Sequence, residues 1–404
     1  MNVATRTMVG VDAVAVDWAG SGLAYLTGAP DGPPDFSRAA VLSEARRVTA
    51  TITQLVGGGV DAATLLAGRA ALLGLSRRGR ISAGGATRLL ATTDSWCAIA
   101  LPRADDIAAL PALLQSDIDP DDPWPALTRW AATSSAEAVV SRAQLLDIAA
   151  AVLRESSAGE PVIRRCGIPT EPRRPARLLV ADLSSLWAGP LCGQLLARAG
   201  AVVVKVESPA RPDGTRRGKP AFFDWINYGK LCYAADFEAD NDGLRDLLAV
   251  ADVVIEGSRP AALRRRRLSV DDVPARPGRV WLRISGHVDQ PDRPAFGDDA
   301  AVAGGLVGAG PTGPVFCGDA IADPLTGLEA TRAVAQSLLR GGGELIDVSM
   351  AAVAARYAAL PPTVNALAPV ADPERPAPIS PASPLGADNT AVRRMISERV
   401  TGAC

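Results

Sequence analysis

An α/β architecture in two units, the larger built on a parallel sheet, is what the sequence predicts, and three observations carry that expectation. The β-rich apolar run "RLLVADL" is followed by a short helix, "GPLCGQLLARAG", closed by glycine, and then by a second buried run, "AVVVKVE". Strand, helix and strand within about thirty residues make a right-handed βαβ unit. Further apolar runs, "LCYAADF", "ADVVIEG" and "RVWLRIS", continue the rhythm, with "NDGLRDLLAVA" as a helix between two of them. Finally, 404 residues exceed the usual reach of one core, so a second unit is expected.

Taken in order, residues 1–65 are rich in Ala, Gly and Pro and read as an irregular segment, with a turn at "GAPDGPPDF" and a weak helix from about Arg38 to Leu55. Residues 66–154 read as a small α/β domain. There "LAGRAALLGL" is a helix, "RISAGGATRLLATTDSWCAIAL" gives two strands after a glycine turn, and "DDIAALPALLQ" and "AVVSRAQLLDIAAAVL" are helices. Residues 155–176 mix Pro, Gly and charge without periodicity, as a linker does. Residues 177–360 form the Rossmann-like large domain. The tail, 361–404, is proline-rich until "NTAVRRMISERV", a terminal helix capped by Asn389 or Thr390.

Composition narrows the chemistry. With 48% hydrophobic residues, 21% charged residues and a formal net charge of −2, the chain has an ordinary globular balance and no wholesale attraction to nucleic acid or a membrane. The N-terminus lacks a basic stretch followed by a sustained apolar run, so a cytoplasmic location is expected. The six cysteines are scattered, and His287 is the only histidine. A disulfide framework, a zinc site and a multi-histidine metal site are therefore not expected, and neither is a histidine-based triad away from His287.

Three loops after predicted strands are basic: "KVESPARPDGTRRGK" with Arg211, Arg216, Arg217 and Lys219, "NYGK" with Lys230, and "SRPAALRRRRL". A charge run is usually a solvated face. Loops at the carboxyl ends of parallel strands, however, are where such sheets hold ligands, and three basic loops on one edge favour a polyphosphate ligand. In "DPLTGLEATRAVAQSLL", Asp323 and Pro324 make a helix cap and first-turn pair. A carboxylate there is also held ionised by the helix dipole, beside N–H groups that can bind an oxyanion. Spacing alone leaves both readings open.

The order of these segments resembles the family III CoA-transferases. The resemblance is carried by "VADLSSLWAGPLCGQLLARAGAVVVKVESP", "NYGK", "ADVVIEGSRPAAL", "RISG", "DPLTG" and "GGGELIDVSM". It implies that family's fold, with the small domain displaced to the N-terminus, and it implies that Asp323, in the D-x-x-x-G motif, is the nucleophile. Asp319 lies outside the motif and reads as a turn residue. The implied CoA site comprises Leu186, Trp187 and Ala188, Arg216, Lys230, and Gly257, Ser258 and Arg259, with "SAGG", including Gly84 and Gly85, falling where a glycine loop closes the active site. The chain departs from the family pattern at Tyr228 of "NYGK" and at Gly257, Ser258 and Ala261 of "EGSRPA".

The resemblance further implies an acyl-CoA:carboxylate CoA-transferase working through an aspartyl anhydride and an aspartyl-CoA thioester. Its substrates would be an acyl-CoA and a free carboxylic acid, with no tightly bound cofactor and no metal. Family members are homodimers, and an interlocked dimer is expected. The alternatives are an α-methylacyl-CoA racemase-like enzyme, disfavoured because Phe296 stands where the racemases carry a histidine, and a non-catalytic CoA-ester binding protein.

Overall fold

The computed structural model describes residues 13–237, 242–257, 259–364, 368–377 and 379–401. Ser258, among the expected CoA contacts, lies outside the described residues.

The chain begins with helices α1 (Ala13–Gly20), α2 (Ala40–Val56) and α3 (Ala62–Leu73). The irregular segment expected over residues 1–65 is in its described part largely helical. Val41, Leu42, Ala45, Val48 and Ile52 form one buried stripe of α2, and that stripe joins the main core of the molecule. The weak helix expected from about Arg38 to Leu55 is α2, and tertiary packing of its apolar stripe stabilises it.

Strands β1 (Thr87–Ala91), β2 (Trp96–Ala100) and β3 (Ala149–Val152) form an antiparallel sheet in that order. Between the last two run α4 (Ala104–Ala108), α5 (Leu110–Leu114), α6 (Trp124–Ala131) and α7 (Ala136–Leu145). Leu110, Leu113, Leu127, Val139 and Ala143 from these helices meet Cys97, Ile99 and Ala150 of the sheet in a separate core. The helix expected across "AVVSRAQLLDIAAAVL" stops at Leu145, and "AAAV" instead becomes β3. All-apolar short runs do not distinguish the two states, and here the vacant edge of β2 decides.

The large sheet holds β4 (Val162–Arg165), β5 (Leu179–Asp182), β6 (Val202–Glu207), β7 (Leu231–Ala234), β8 (Val253–Glu256), β9 (Val280–Ser285) and β12 (Glu344–Ser349). Their order is β4-β12-β9-β8-β5-β6-β7, parallel throughout except for β4. From β5 the chain winds outward through β6 and β7, returns to β8, and winds the other way through β9 and β12. That is the doubly wound order, with a crevice where the direction switches between β5 and β8. The expected linker is not free of structure, because its residues 162–165 supply the antiparallel edge strand β4.

Helices α8 (Ala188–Arg198), α9 (Pro220–Asn227) and α13 (Ala322–Leu339) share a core with α2, α3 and α14 (Met350–Ala358) on one face of the sheet. Helices α10 (Asp242–Val250), α11 (Pro260–Arg265) and α15 (Asn389–Thr401) bury Leu244, Leu247, Leu248, Leu263, Val392 and Ile396 on the other. A short helix, α12 (Gly297–Ala303), and the hairpin of β10 (Val307–Gly310) and β11 (Gly313–Phe316) join the two units.

Asn389 does not cap α15 with its side chain, as the sequence led us to expect. Its amide exchanges two hydrogen bonds with Ala234, and Asp388 accepts from the Cys232 N–H, so both residues cover the outer edge of β7. At the opposite end of the strands, the Asp252 carboxylate accepts from the Leu179 N–H at 2.9 Å, from Arg173 at 3.0 Å and from Arg399 at 2.9 Å. It thus ties the segment before β5, the sheet and the terminal helix to one buried group. Removing a buried charge from its partners costs about 3 kcal/mol or more. Asp252→Ala is therefore expected to lose about 3 kcal/mol in denaturant unfolding; a loss within about 0.5 kcal/mol, the usual surface effect, would contradict this role.

Candidate active site

The candidate site forms at the carboxyl edge of the sheet, where the switch between β5 and β8 leaves two loop ends side by side. A Cβ added at Gly257, after β8, would stand 3.0 Å from the Ser184 Cβ, after β5. Leu186 takes a left-handed φ of 70° and donates its N–H to the Asp213 carboxylate at 3.1–3.2 Å. The chain then enters α8 at Ala188, two residues before Pro190, which the sequence places at the helix start.

Helix α13 crosses this helix start. Gly327 makes the approach possible, since a Cβ there would stand 2.8 Å from the Ala188 carbonyl oxygen and 2.8 Å from the Leu191 side chain. One turn earlier on the same face is Asp323, whose carboxylate accepts the Ala188 N–H. The spacing of the D-x-x-x-G motif therefore has a physical meaning: the glycine sets the crossing distance and the aspartate uses it. Asp323 is not the cap of α13. Ile321 occupies that place, and Asp323 lies in the first turn with its own N–H bonded to the Ala320 carbonyl.

Around Asp323 the structure gathers residues that sequence reasoning passed over. Arg69 on α3 pairs with Asp319 at 2.5 Å, and its guanidinium lies 5.4 Å from the Trp187 ring centroid and 5.3 Å from that of Phe222. Asp319 is therefore no simple turn residue: it is 1% exposed. Asp298, on α12, accepts from the Ala320 N–H at 3.1 Å and from the Ser82 hydroxyl. The Gly297 Cα comes so close that an added Cβ would stand 2.3 Å from an Asp323 oxygen. Two signals in the sequence pointed here. One is an arginine alone in the apolar helix "LAGRAALL"; the other is "GDDA" opening an apolar run, two acids that need a reason to be buried.

Burial pushes the Asp323 carboxyl up to about 7; Arg69 opposes the shift, while Asp298 and Asp319 reinforce it. Burial likewise raises Asp298 to about 6, again with Asp319 adding and Arg69 opposing. Asp299 is pushed up by burial to about 8, although one of its oxygens accepts the Phe296 N–H at 2.7 Å. Three carboxyls with their ionisation spread across the neutral range thus lie on or beside one helix crossing.

The expected CoA residues divide. Trp187, Ala188 and Gly84 lie at the site; Gly84 is on the loop over Arg69, with a built Cβ 3.7 Å from its guanidinium. Gly85 adjoins Arg78, while Leu186 and Gly257 line the crevice mouth. The basic residues are each paired with a carboxylate of the same chain. Lys230 is fully buried, bound to Asp182 at 2.9 Å, the Pro190 carbonyl at 2.8 Å and Asn227 at 3.0 Å. Arg216 forks onto Glu207 and stacks 4.0 Å from the Phe223 centroid. Arg259 pairs with Asp147 across to the small unit at 2.6 and 2.7 Å. Internal carboxylates, invisible as partners in one dimension, have claimed these cations. Arg211 and Arg217, in the loop that carries Arg216, are exposed and carry no ion pair among the described residues. His287 is buried and held neutral, its pKa lowered to about 3 by burial and by Arg293. Among the described residues no helix is long and apolar enough to cross a membrane.

Residues 176–386, more than half of the chain, match the family model described as CoA-transferase family III. The chain belongs to this family. Among curated relatives, succinyl-CoA–D-citramalate CoA-transferase of Chloroflexus aurantiacus is 29% identical over 202 residues, covering 44% of this chain and 50% of the relative. The succinyl-CoA:glutarate CoA-transferase of Homo sapiens is 31% identical over 192 residues, covering 42% and 44%. A crystal structure of the hypothetical protein Rv3272 from Mycobacterium tuberculosis aligns with a TM-score of 0.42 at 28% identity, over 46% of this chain and 57% of that one. The chain spans about half the length of the curated relatives it matches. Arg69 and Ser82 precede the family-matched segment, whereas Asp298, Asp319 and Asp323 lie within it.

A raised carboxyl pKa weakens the fold as pH rises, because above about pH 4 the unfolded chain releases a proton that the folded protein keeps. For Asp299 that loss accumulates until about pH 8. Asn at this position keeps an acceptor for the Phe296 N–H and has nothing to ionise. The melting temperature of Asp299→Asn relative to wild type should therefore climb steadily between pH 5 and pH 8; a gap that stays flat or narrows would contradict the assignment.

Proposed function

We propose that this protein is an acyl-CoA:carboxylate CoA-transferase with Asp323 as its nucleophile. One observation carries the reading: a partly accessible carboxylate, held at the meeting of two helix N-termini by the Ala188 N–H, lies at the switch point of a doubly wound sheet. Membership of CoA-transferase family III supports the reaction class. These two relatives are named for succinyl-CoA and for citramalate or glutarate, and we take from them only the exchange of CoA between two acids.

In the first step an Asp323 oxygen attacks the thioester carbonyl of the acyl-CoA. The C–S bond breaks, and a mixed anhydride and CoA thiolate result. The thiolate then attacks the aspartyl carbonyl, releases the donor acid and leaves an aspartyl-CoA thioester. An acceptor carboxylate attacks that thioester to form a second anhydride and free the thiolate again. Attack of the thiolate on the acceptor's acyl carbonyl yields the new acyl-CoA and restores Asp323. Each carbonyl passes through an oxyanion that N–H donors at the α8 and α13 termini can stabilise. The exposed Leu186 and Gly257 at the mouth, with Arg211 and Arg217 beyond, are the places we assign to the CoA backbone and phosphates.

Only the ionised carboxylate attacks, so the acid limb of kcat/KM is expected near pH 7, where Asp323 loses its proton, rather than near the ordinary carboxylate value of about 4. Asp323→Asn should reduce CoA exchange at least ~1000-fold, a loss typical of removing a covalent nucleophile. Incubation with acyl-CoA and hydroxylamine should leave a hydroxamate on Asp323. Exchange at the wild-type rate by the Asn variant, or deuterium wash-in at the α-carbon without CoA exchange, would overturn the reading.

A further inference from the structure

We propose that Arg69, supplied by helix α3 ahead of the family-matched segment, is a positioning residue for Asp323, its cation held beside that carboxyl by Asp319 and two aromatic rings. The inference rests on the nucleophilic role of Asp323 and concerns what makes that role workable.

Three carboxylates, Asp298 on α12, Asp319 in the turn before α13 and Asp323 in its first turn, converge on one guanidinium. Arg69 on α3, Asp298 on α12 and Asp319 before α13 are the charged groups that act most strongly on Asp323. Negative groups gathered in a water-poor pocket repel one another, and a cation among them favours their charged forms. Arg69 is fixed for that task on two sides. The Trp187 and Phe222 rings, 5.4 Å apart and nearly perpendicular, both lie within cation–π range of it. Its Nη1 is bound to Asp319 at 2.5 Å. A planar guanidinium can stack and fork at once, and an ammonium cannot.

The other Asp319 oxygen and the Trp187 Nε1 are buried with no hydrogen-bond partner among the described residues, so the pocket around the guanidinium still has an acceptor and a donor to satisfy. Moreover, Arg69 links distant parts of the chain: its helix precedes the family-matched segment, and every acid it faces lies within that segment. Ser82, from the glycine loop over Arg69, makes the same crossing to Asp298. The N-terminal part therefore completes the electrostatics of a site whose nucleophile it does not contain.

The test is the pH profile of CoA exchange between pH 5.5 and pH 9 for Arg69→Gln, Arg69→Lys, Asp319→Asn and Asp323→Asn, with folding checked by thermal melting. Loss of the cation should move the acid limb of Arg69→Gln upward by about one unit, roughly a tenfold loss below pH 7 that recovers at pH 9. Arg69→Lys should bring the limb part of the way back. Asp319→Asn, which removes a repelling charge and leaves the cation, should move it downward, and this variant keeps the test alive if Arg69→Gln fails to fold. A uniform drop at every pH, or limbs that coincide with wild type, would overturn the positioning role while Asp323→Asn stays inactive. Full activity in Asp323→Asn would instead remove the reading on which the inference rests.

Discussion

The closeness of α13 to the start of α8 is the constraint on which the site depends. Two helices ordinarily cross with side chains between them, at 8–10 Å between axes. At Gly327 there is no side chain, and the Ala188 carbonyl and Leu191 occupy the space where one would be. That contact brings the Asp323 carboxyl to the Ala188 N–H, and it leaves room on the far side only for another glycine, Gly297. A carboxyl so enclosed loses water, which is why burial leads the causes of its raised pKa. Packing geometry and acidity are in this respect a single property.

Beneath the crevice a second set of charges holds the loops. Lys205 and Asp213 pair at 2.8 Å with no exposed surface, and Lys230 and Asp182 do so at 2.9 Å. Asp213 in turn receives the Leu186 and Thr215 N–H groups, so one carboxylate braces the loop after β5 against the loop after β6. Breaking either buried pair from one side costs about 3–5 kcal/mol, an order appropriate to a scaffold. The lysine of "NYGK" thus joins the end of β5, the start of α8 and the end of α9 through Asp182, Pro190 and Asn227.

Much of the fold was legible in one dimension because parallel strands buried on both faces are written as continuous apolar runs, and β5, β6, β8 and β9 all fall in such runs. Where pattern and environment part, the reading failed. "AAAV" looks helical until β2 offers an edge, and "VIRR" looks like linker until β12 pairs with it. In the site, Asp323 could be picked out by its motif, and Ala188 by its place after the first strand. Arg69 and Asp319 could not, because they are 250 residues apart and only folding makes them partners. Arg216, Lys230 and Arg259 show the same limit from the other side: a cation's purpose is set by the nearest carboxylate, and sequence does not measure distance.

The two ends of the large sheet are finished differently. On one, Asp388 and Asn389 occupy the hydrogen-bonding groups of β7 with their own side chains. On the other, β4 is short, exposed at all four residues and studded with Arg164 and Arg165. An unpaired strand invites a neighbouring chain to add to it, and short length and positive charge discourage that. Growth of this sheet from molecule to molecule is hindered at one border by an amide and a carboxylate and discouraged at the other by a short strand with two arginines.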